Sequence, residues 1–150
     1  MKNSASIIIP IFNEEENILI LLKEIQLTCN FFNYYEIIIV DDKSNDDSVI
    51  KILQKKINNL NLLKNNKNMG QSYCLYKGVK EAKFETIVTL DGDLQNDPKD
   101  IKTLFDEYLK NNNTKLVSGI RKKRKDSIIK IISSKIANNV RSYILKDGCE

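Results

Sequence analysis

The chain has 150 residues, of which 41% are hydrophobic and 29% charged. That length suits one domain, 1–150, with a real core, and the composition excludes a disordered chain. It contains 0 histidines and carries a net charge of +4. The first figure excludes Ser-His-Asp triads, His–carboxylate relays and His-ligated zinc, so chemistry falls to carboxylates, amides, Lys, Arg or an oxygen-held metal.

Residues 6–11, nearly all Ile, read as a strand buried on both faces. Residues 14–29 read as a helix with Ile18, Leu21, Leu22 and Ile25 as its stripe and acids in its first turn. A second buried strand, 36–40, ends at Asp41-Asp42, and the polar turn 43–47 leads into a helix to about residue 57. Residues 60–63 form a short third strand, the Asn- and Lys-rich loop 64–70 follows, and a helix covers 71–82. The fourth strand, 86–90, ends at Asp91-Gly92-Asp93. Asp97-Pro98 opens the next helix, with Asp97 as cap and Pro98 in the first helical position. Its stripe is Ile101, Leu104, Phe105, Tyr108 and Leu109. Residues 115–120 read as a fifth strand and 127–145 as a last helix. The alternation predicts an α/β fold, a doubly wound, mostly parallel sheet with helices on both faces.

No stretch reaches the ~18 apolar residues of a membrane span, and residues 1–11 are too short for a signal peptide. Cys29, Cys74 and Cys149 match no zinc or CxxC spacing. They read as buried free thiols, and their odd number fits a reducing cytoplasm.

Ligands of open parallel sheets gather at the carboxyl ends of the strands. There the sequence places Pro10-Ile11-Phe12-Asn13-Glu14, Asp41-Asp42, Asp91-Gly92-Asp93-Leu94-Gln95 and Gly119-Ile120-Arg121. The Asp91-x-Asp93-x-Gln95 cluster is the sharpest signal. Hard oxygen ligands suit Mg²⁺ or Mn²⁺. In an ideal strand Asp91 and Asp93 would stand roughly 6.6 Å apart, too far for both to reach one ion at ~2.1 Å. Either the chain turns at Gly92, or one acid binds the ion and the other works through water or a sugar hydroxyl. An Asp-Gly pair can also be a plain solvated turn. Asp42 can cap the next helix, but Asp46 or Asp47 can do that instead, leaving Asp42 to face the crevice. The ring of Phe12 can belong to the core or stack on a base.

The segments 6–18, 40–46, Asn68-Met69-Gly70-Gln71 and 91–95, in that order, resemble the motifs of family 2 glycosyltransferases with the GT-A fold. The group most similar is the dolichyl-phosphate mannosyltransferases with their bacterial undecaprenyl-phosphate relatives. The resemblance implies that Pro10, Phe12, Glu14, Val40 and Asp42 cradle the base and ribose of a GDP- or UDP-sugar. The family usually has Tyr at the position of Phe12, so the ring here can still stack but brings no hydroxyl. Asp91, Gly92 and Asp93 would meet ribose and diphosphate. Asp93 and Gln95, with Asp91 nearby, would hold the metal, and Arg121 would face the phosphates. The family pattern continues past Glu150 with acceptor-side structure, so a C-terminally truncated chain is expected.

The basic run Arg121-Lys122-Lys123-Arg124-Lys125 resembles the acceptor side of the lipid-phosphate group. It reads as a contact for a lipid-phosphate acceptor or an anionic membrane surface, placing the chain in the cytoplasm or at the inner face of a membrane. Nucleic acid is disfavoured because no stacking aromatics interleave with the run. An acceptor phosphate is already ionised at neutral pH, so sugar transfer to it needs no strong base, in keeping with a chain lacking histidine. The alternatives are a nucleotide-sugar-binding module without turnover, or a DxD phosphatase or phosphotransferase. In the latter the DxD normally follows the first strand, whereas here it follows the fourth.

Overall fold

The two Ile-rich runs form the centre of the sheet. Strand β1 (Ser4–Ile11) pairs in parallel along its whole length with β2 (Tyr34–Asp41), Ser4 opposite Tyr34 and Ile11 opposite Asp41. The computed structural model describes residues 3–111 and 113–119. Strand β3 (Leu60–Lys64) adds to β2, and the short β4 (Ile87–Thr89) adds to the other side of β1. The order is β3-β2-β1-β4, all parallel. The chain therefore steps outward twice, then returns past its starting strand. This creates a topological switch point between β1 and β4, where open α/β sheets place their ligands.

Alternation along the strands divides the core. Ile7, Ile9, Ile37 and Ile39 pack with α1 (Ile18–Thr28), α2 (Ser48–Gln54) and α4 (Asp100–Leu109) through Ile18, Leu21, Leu22, Ile25, Ile52, Ile101 and Phe105. Ile8, Ile38 and Val40 point the other way and pack with Cys74 of α3 (Gln71–Glu81). Helices on both faces make the sheet doubly wound, as the alternation predicted. Helix α3 lies very close to the sheet: a Cβ on Gly78 would stand 2.4 Å from Ile8 Cγ2 and 3.4 Å from Val40 Cγ2. At the amino ends of the strands, buried Glu36 accepts hydrogen bonds from Ser6 Oγ and the Lys83 amide, both at 2.6 Å, tying the α3–β4 turn to β1 and β2.

Three expectations need correction. Helix α1 begins at Ile18, not residue 14, because the amides of Glu14 and Glu15 donate to Ser48 and Asp46 across the neighbouring loop. Helix α4 begins at Asp100. Asp97 does take the Lys99 amide, but residues 97–99 form a turn before the helix. Residues 115–119 form no strand, and Leu116, one of only two large apolar residues there, is 83% exposed. The basic run 121–125, Cys149 and the helix expected over 127–145 lie outside the described residues. The chain divides into two compact units, Met1–Ser118 and Gly119–Glu150, and the fold described is that of the first. Among the described residues no helix is long and apolar enough to cross a membrane.

Candidate active site at the switch point

The end of β1 is shaped by a crossed set of hydrogen bonds to the loop after β2. Asn13, with φ of 58°, donates its amide to Ser44 Oγ at 2.9 Å and accepts the Asn45 amide on Oδ1 at 2.8 Å. The next two amides continue the pattern: Glu14 donates to Ser48 Oγ at 2.9 Å and Glu15 to Asp46 Oδ2 at 3.0 Å. Asp46 also takes the amide and hydroxyl of Ser48, so it, and not Asp42, serves the start of α2. Burial pushes the Asp46 carboxyl up, but the donors from Ser48 and Glu15 outweigh it and hold it below its ordinary value. This stitching leaves Phe12 at the lip of the site, 44% exposed, and explains why it is not part of the core.

Asp42, just past β2, is buried and held by the loop that precedes α3. Its Oδ1 accepts from Asn65 Nδ2 and the Met69 amide, both at 2.8 Å, and its Oδ2 from the Gly70 amide at 2.7 Å. Asn65 Nδ2 also donates to Cys74 Sγ at 3.3 Å. Burial acts to raise the Asp42 carboxyl too, yet the hydrogen bonds from Asn65, Met69 and Gly70 bring it below its ordinary value. The Cys74 thiol is pushed up to about 11 by burial and by the neighbouring Asp42 charge, which makes it a packing group and not a nucleophile. Gly70 has φ of 85°, a conformation few side chains tolerate, and this lets its amide face Asp42 at the head of α3.

After β4 the chain turns at residues 92 and 93, and Leu94 adopts φ of 59°. The turn at Gly92 that the sequence allowed is present. Gly92 is buried against β1: a Cβ there would lie 3.1 Å from Ile11 Cγ2 and 3.2 Å from Glu14 Cγ. Asp91 accepts from Gln71 Nε2 at 2.8 Å and from Asn96 Nδ2 at 3.0 Å. Asp93 Oδ1 accepts the Gln95 amide at 3.0 Å.

Seven of the residues singled out from the sequence line one crevice of ≈ 260 Å³: Pro10, Phe12, Glu14, Asp42, Asp91, Gly92 and Asp93. Val40 lies behind it, fully buried in the core against α3. Gln95 is exposed beside the turn, and Arg121 lies outside the described residues. Gln71 and Cys74 also line the crevice and were not anticipated. Their signal was present, since a helix beginning at residue 71 brings its first turn to the carboxyl edge of the sheet.

The donor set near the crevice is made of oxygen, the Asp91 and Asp93 carboxylates and the Gln95 amide, which suits Mg²⁺ or Mn²⁺. Among the described residues no group of three or more His, Cys, Asp or Glu side chains is arranged to hold a metal.

Comparison with known proteins decides the family. The model of glycosyl transferase family 2 matches residues 6–147, nearly the whole chain.

The chain belongs to glycosyl transferase family 2.

Among its family 2 relatives is the dodecaprenyl-phosphate galacturonate synthase of Rhizobium johnstonii, 35% identical over 82% of this chain and 37% of that protein. Another is the undecaprenyl-phosphate 4-deoxy-4-formamido-L-arabinose transferase of Pseudomonas savastanoi, 35% identical over 89% of this chain and 40% of that protein. The chain thus spans about two fifths of the length of these relatives. Solved structures share the fold. Glucosyl-3-phosphoglycerate synthase of Mycobacterium tuberculosis, in complex with UDP, superposes with a TM-score of 0.70 at 18% identity, covering 94% of this chain and 50% of that one. A Pyrobaculum calidifontis mannosyltransferase in complex with GDP-Man and Mn²⁺ gives 0.62 at 21% identity, covering 72% and 32%. The α/β sheet described above is therefore of the GT-A kind, as the motifs implied.

Proposed function

We propose that the chain, as a single domain 1–150, is the nucleotide-sugar-binding part of a glycosyltransferase that moves a sugar from a nucleoside diphosphate sugar to a polyprenyl phosphate. The observation that carries this reading is the meeting of Phe12, Asp42 and the Asp91-Gly92-Asp93 turn in one crevice at the switch point of a family 2 sheet. Pro10, Phe12, Glu14 and Asp42 would hold base and ribose, with Val40 supporting them from behind. The names of the two curated relatives support the acceptor class. In the reaction an acceptor phosphate oxygen bonds to the anomeric carbon. The bond from that carbon to the diphosphate breaks, and its electron pair leaves with the diphosphate. Asp91, Asp93 and Gln95 would hold Mg²⁺ or Mn²⁺, and Arg121 would pair with the phosphates. A bound ion supplies neutralisation of the charge on the departing diphosphate.

Calorimetry tests this directly. A nucleoside diphosphate should bind about tenfold more tightly, or better, with Mn²⁺ than with EDTA, equivalent to roughly 1.4 kcal/mol. Asp93→Ala should remove most of that difference while the circular dichroism spectrum persists. Equal affinity with and without metal would refute metal-dependent binding.

The run Arg121-Lys122-Lys123-Arg124-Lys125 would serve the acceptor side. Each cation near an anionic leaflet contributes about 1 kcal/mol, and salt weakens it. Co-sedimentation with liposomes should therefore require anionic lipid and fall as salt rises. It should drop when Lys122, Lys123, Arg124 and Lys125 are all replaced by Gln. Sedimentation indifferent to lipid charge would make the run an ordinary solvated segment.

A further inference from the structure

Helix α3 has two unlike sides. Cys74 and Gly78, four residues apart, lie against the sheet. On the side away from it stand Tyr73, Tyr76, Val79 and Lys80, all exposed, with exposed Met69 leading in from the loop. The Tyr73 and Tyr76 ring centroids are 6.5 Å apart, and Lys80 Nζ lies 5.7 Å from the centroid of the Tyr76 ring. These side chains therefore form one continuous patch.

The charges around the patch are nearly all of one sign. Residues 64–83 include five lysines, Lys64, Lys67, Lys77, Lys80 and Lys83, against the single acid Glu81. Two of the lysines are engaged. Lys77 Nζ donates to the Lys64 carbonyl and to Asn65 Oδ1, and Lys83 Nζ lies 3.6 Å from Glu36. Lys64, Lys67 and Lys80 are exposed and make no ion pair among the described residues. Glu81 stands about 140° round the helix from Tyr76, off the patch. Tyrosine rings with a polar tip and lysines with apolar stems are side chains that settle in the headgroup layer of a bilayer, and an anionic leaflet complements the charge. The outer face of a helix is convex. It offers no groove to grip a peptide, whereas a fluid bilayer needs none.

We infer that the outer face of α3 is a docking surface for an anionic bilayer, with Tyr73 and Tyr76 in the headgroup layer and Lys64, Lys67 and Lys80 against lipid phosphates. The contact stands on residues other than the basic run 121–125 and does not depend on it. Its consequence is positional. Gln71 and Cys74, on either side of Tyr73 in the sequence, line the crevice. The crevice wall is then separated from lipid by one helix diameter, about 10–12 Å. On the acceptor reading above, that is short enough for a polyprenyl phosphate to reach the site without leaving the membrane.

The chain contains no tryptophan, so one introduced indole reports on one place. In the full 150-residue chain, Tyr76→Trp should show the emission of a water-exposed indole in buffer. Vesicles of phosphatidylcholine with phosphatidylglycerol should shift that emission to the blue, and brominated acyl chains should quench it. Vesicles of phosphatidylcholine alone should do neither. Leu53→Trp, on α2 across the sheet and also exposed, should stay unquenched. Replacing Lys64, Lys67 and Lys80 together by Gln should lower vesicle partitioning about tenfold or more. Sedimentation with the indole at position 76 unquenched would overturn the inference and leave the contact through residues 121–125 standing. Equal quenching at positions 53 and 76 would overturn it as well, by removing the preference for this face. An indole at 76 already shielded in buffer, or shielded further as protein concentration rises, would mean that another segment or a second copy covers the face, which also overturns it. Failure to sediment with any vesicle would overturn both membrane contacts.

Discussion

Gly78→Ala should reduce the unfolding free energy by about 1–3 kcal/mol, the range for forcing extra carbon into a packed core. The added Cβ would stand 2.4 Å from Ile8 Cγ2. Ile8 lies in the middle of β1, is 0% exposed, and is paired on both sides, to β2 and to β4. It has nowhere to move, so α3 must lift. Lifting α3 also withdraws Gln71 and Cys74 from the crevice, and nucleotide binding should weaken in parallel. Urea denaturation measures the stability change, which should appear as a lower midpoint with an unaltered slope. Gly70→Ala is the useful contrast. Nothing lies within 4 Å of a Cβ there, and the cost is that of the backbone alone, at φ 85° and ψ 160°, a region essentially confined to glycine, about 1–3 kcal/mol. A loss below roughly 0.5 kcal/mol at Gly78 would place it among ordinary surface substitutions and would mean that α3 adjusts without strain.

Asp42→Ala is expected to destabilise the chain by about 2–4 kcal/mol, since donors pointing at a buried charge lose it and find no substitute. Asn65 Nδ2 and the Met69 and Gly70 amides all aim at that carboxylate. A carboxylate that only read a base could be removed with the melting temperature held within a few degrees, and that is what the sequence alone suggests. The hydrogen bonds to the 69–70 loop argue for the larger effect, with nucleotide binding abolished as well. The pH dependence follows from the direction of the shift. Asp42 and Asp46 are both held below the ordinary carboxyl value of 3.8. The folded chain therefore binds their protons less readily than the unfolded chain. Their stabilisation is fully present above the unfolded value and is lost as the pH falls through the folded value. Wild-type stability should thus decline steeply below about pH 4, and Asp42→Ala should show a shallower decline. Parallel acid limbs in the two proteins would contradict the assignment.

The parallel sheet was legible because Ile is so dense in 6–11 and 36–40 that no amphipathic alternative fits. The carboxyl-edge residues followed from the sheet, since strand ends are positions in sequence. Side chains that act across loops were harder to see. Asn65 sits in the Asn- and Lys-rich loop 64–70, where composition gives it no distinguishing mark. Its hold on Asp42 depends on which way its buried amide is turned. The start of α1 was misplaced for a related reason: acids at 14–16 look like a helix N-terminus, but the amides of Glu14 and Glu15 are committed to Ser48 and Asp46 more than thirty residues away. The strand expected over 115–120 rested on too few apolar residues to be held, and Leu116 is left in solvent.

The bonds that join residues 13–15 to residues 44–48 have a further consequence for how the crevice meets a ligand. Both loops are locked to each other before anything arrives. The conformational entropy lost in ordering this wall belongs to folding and is absent from the association step. A ligand should therefore find Phe12 and Glu14 already in place, and capture on that side is close to rigid docking.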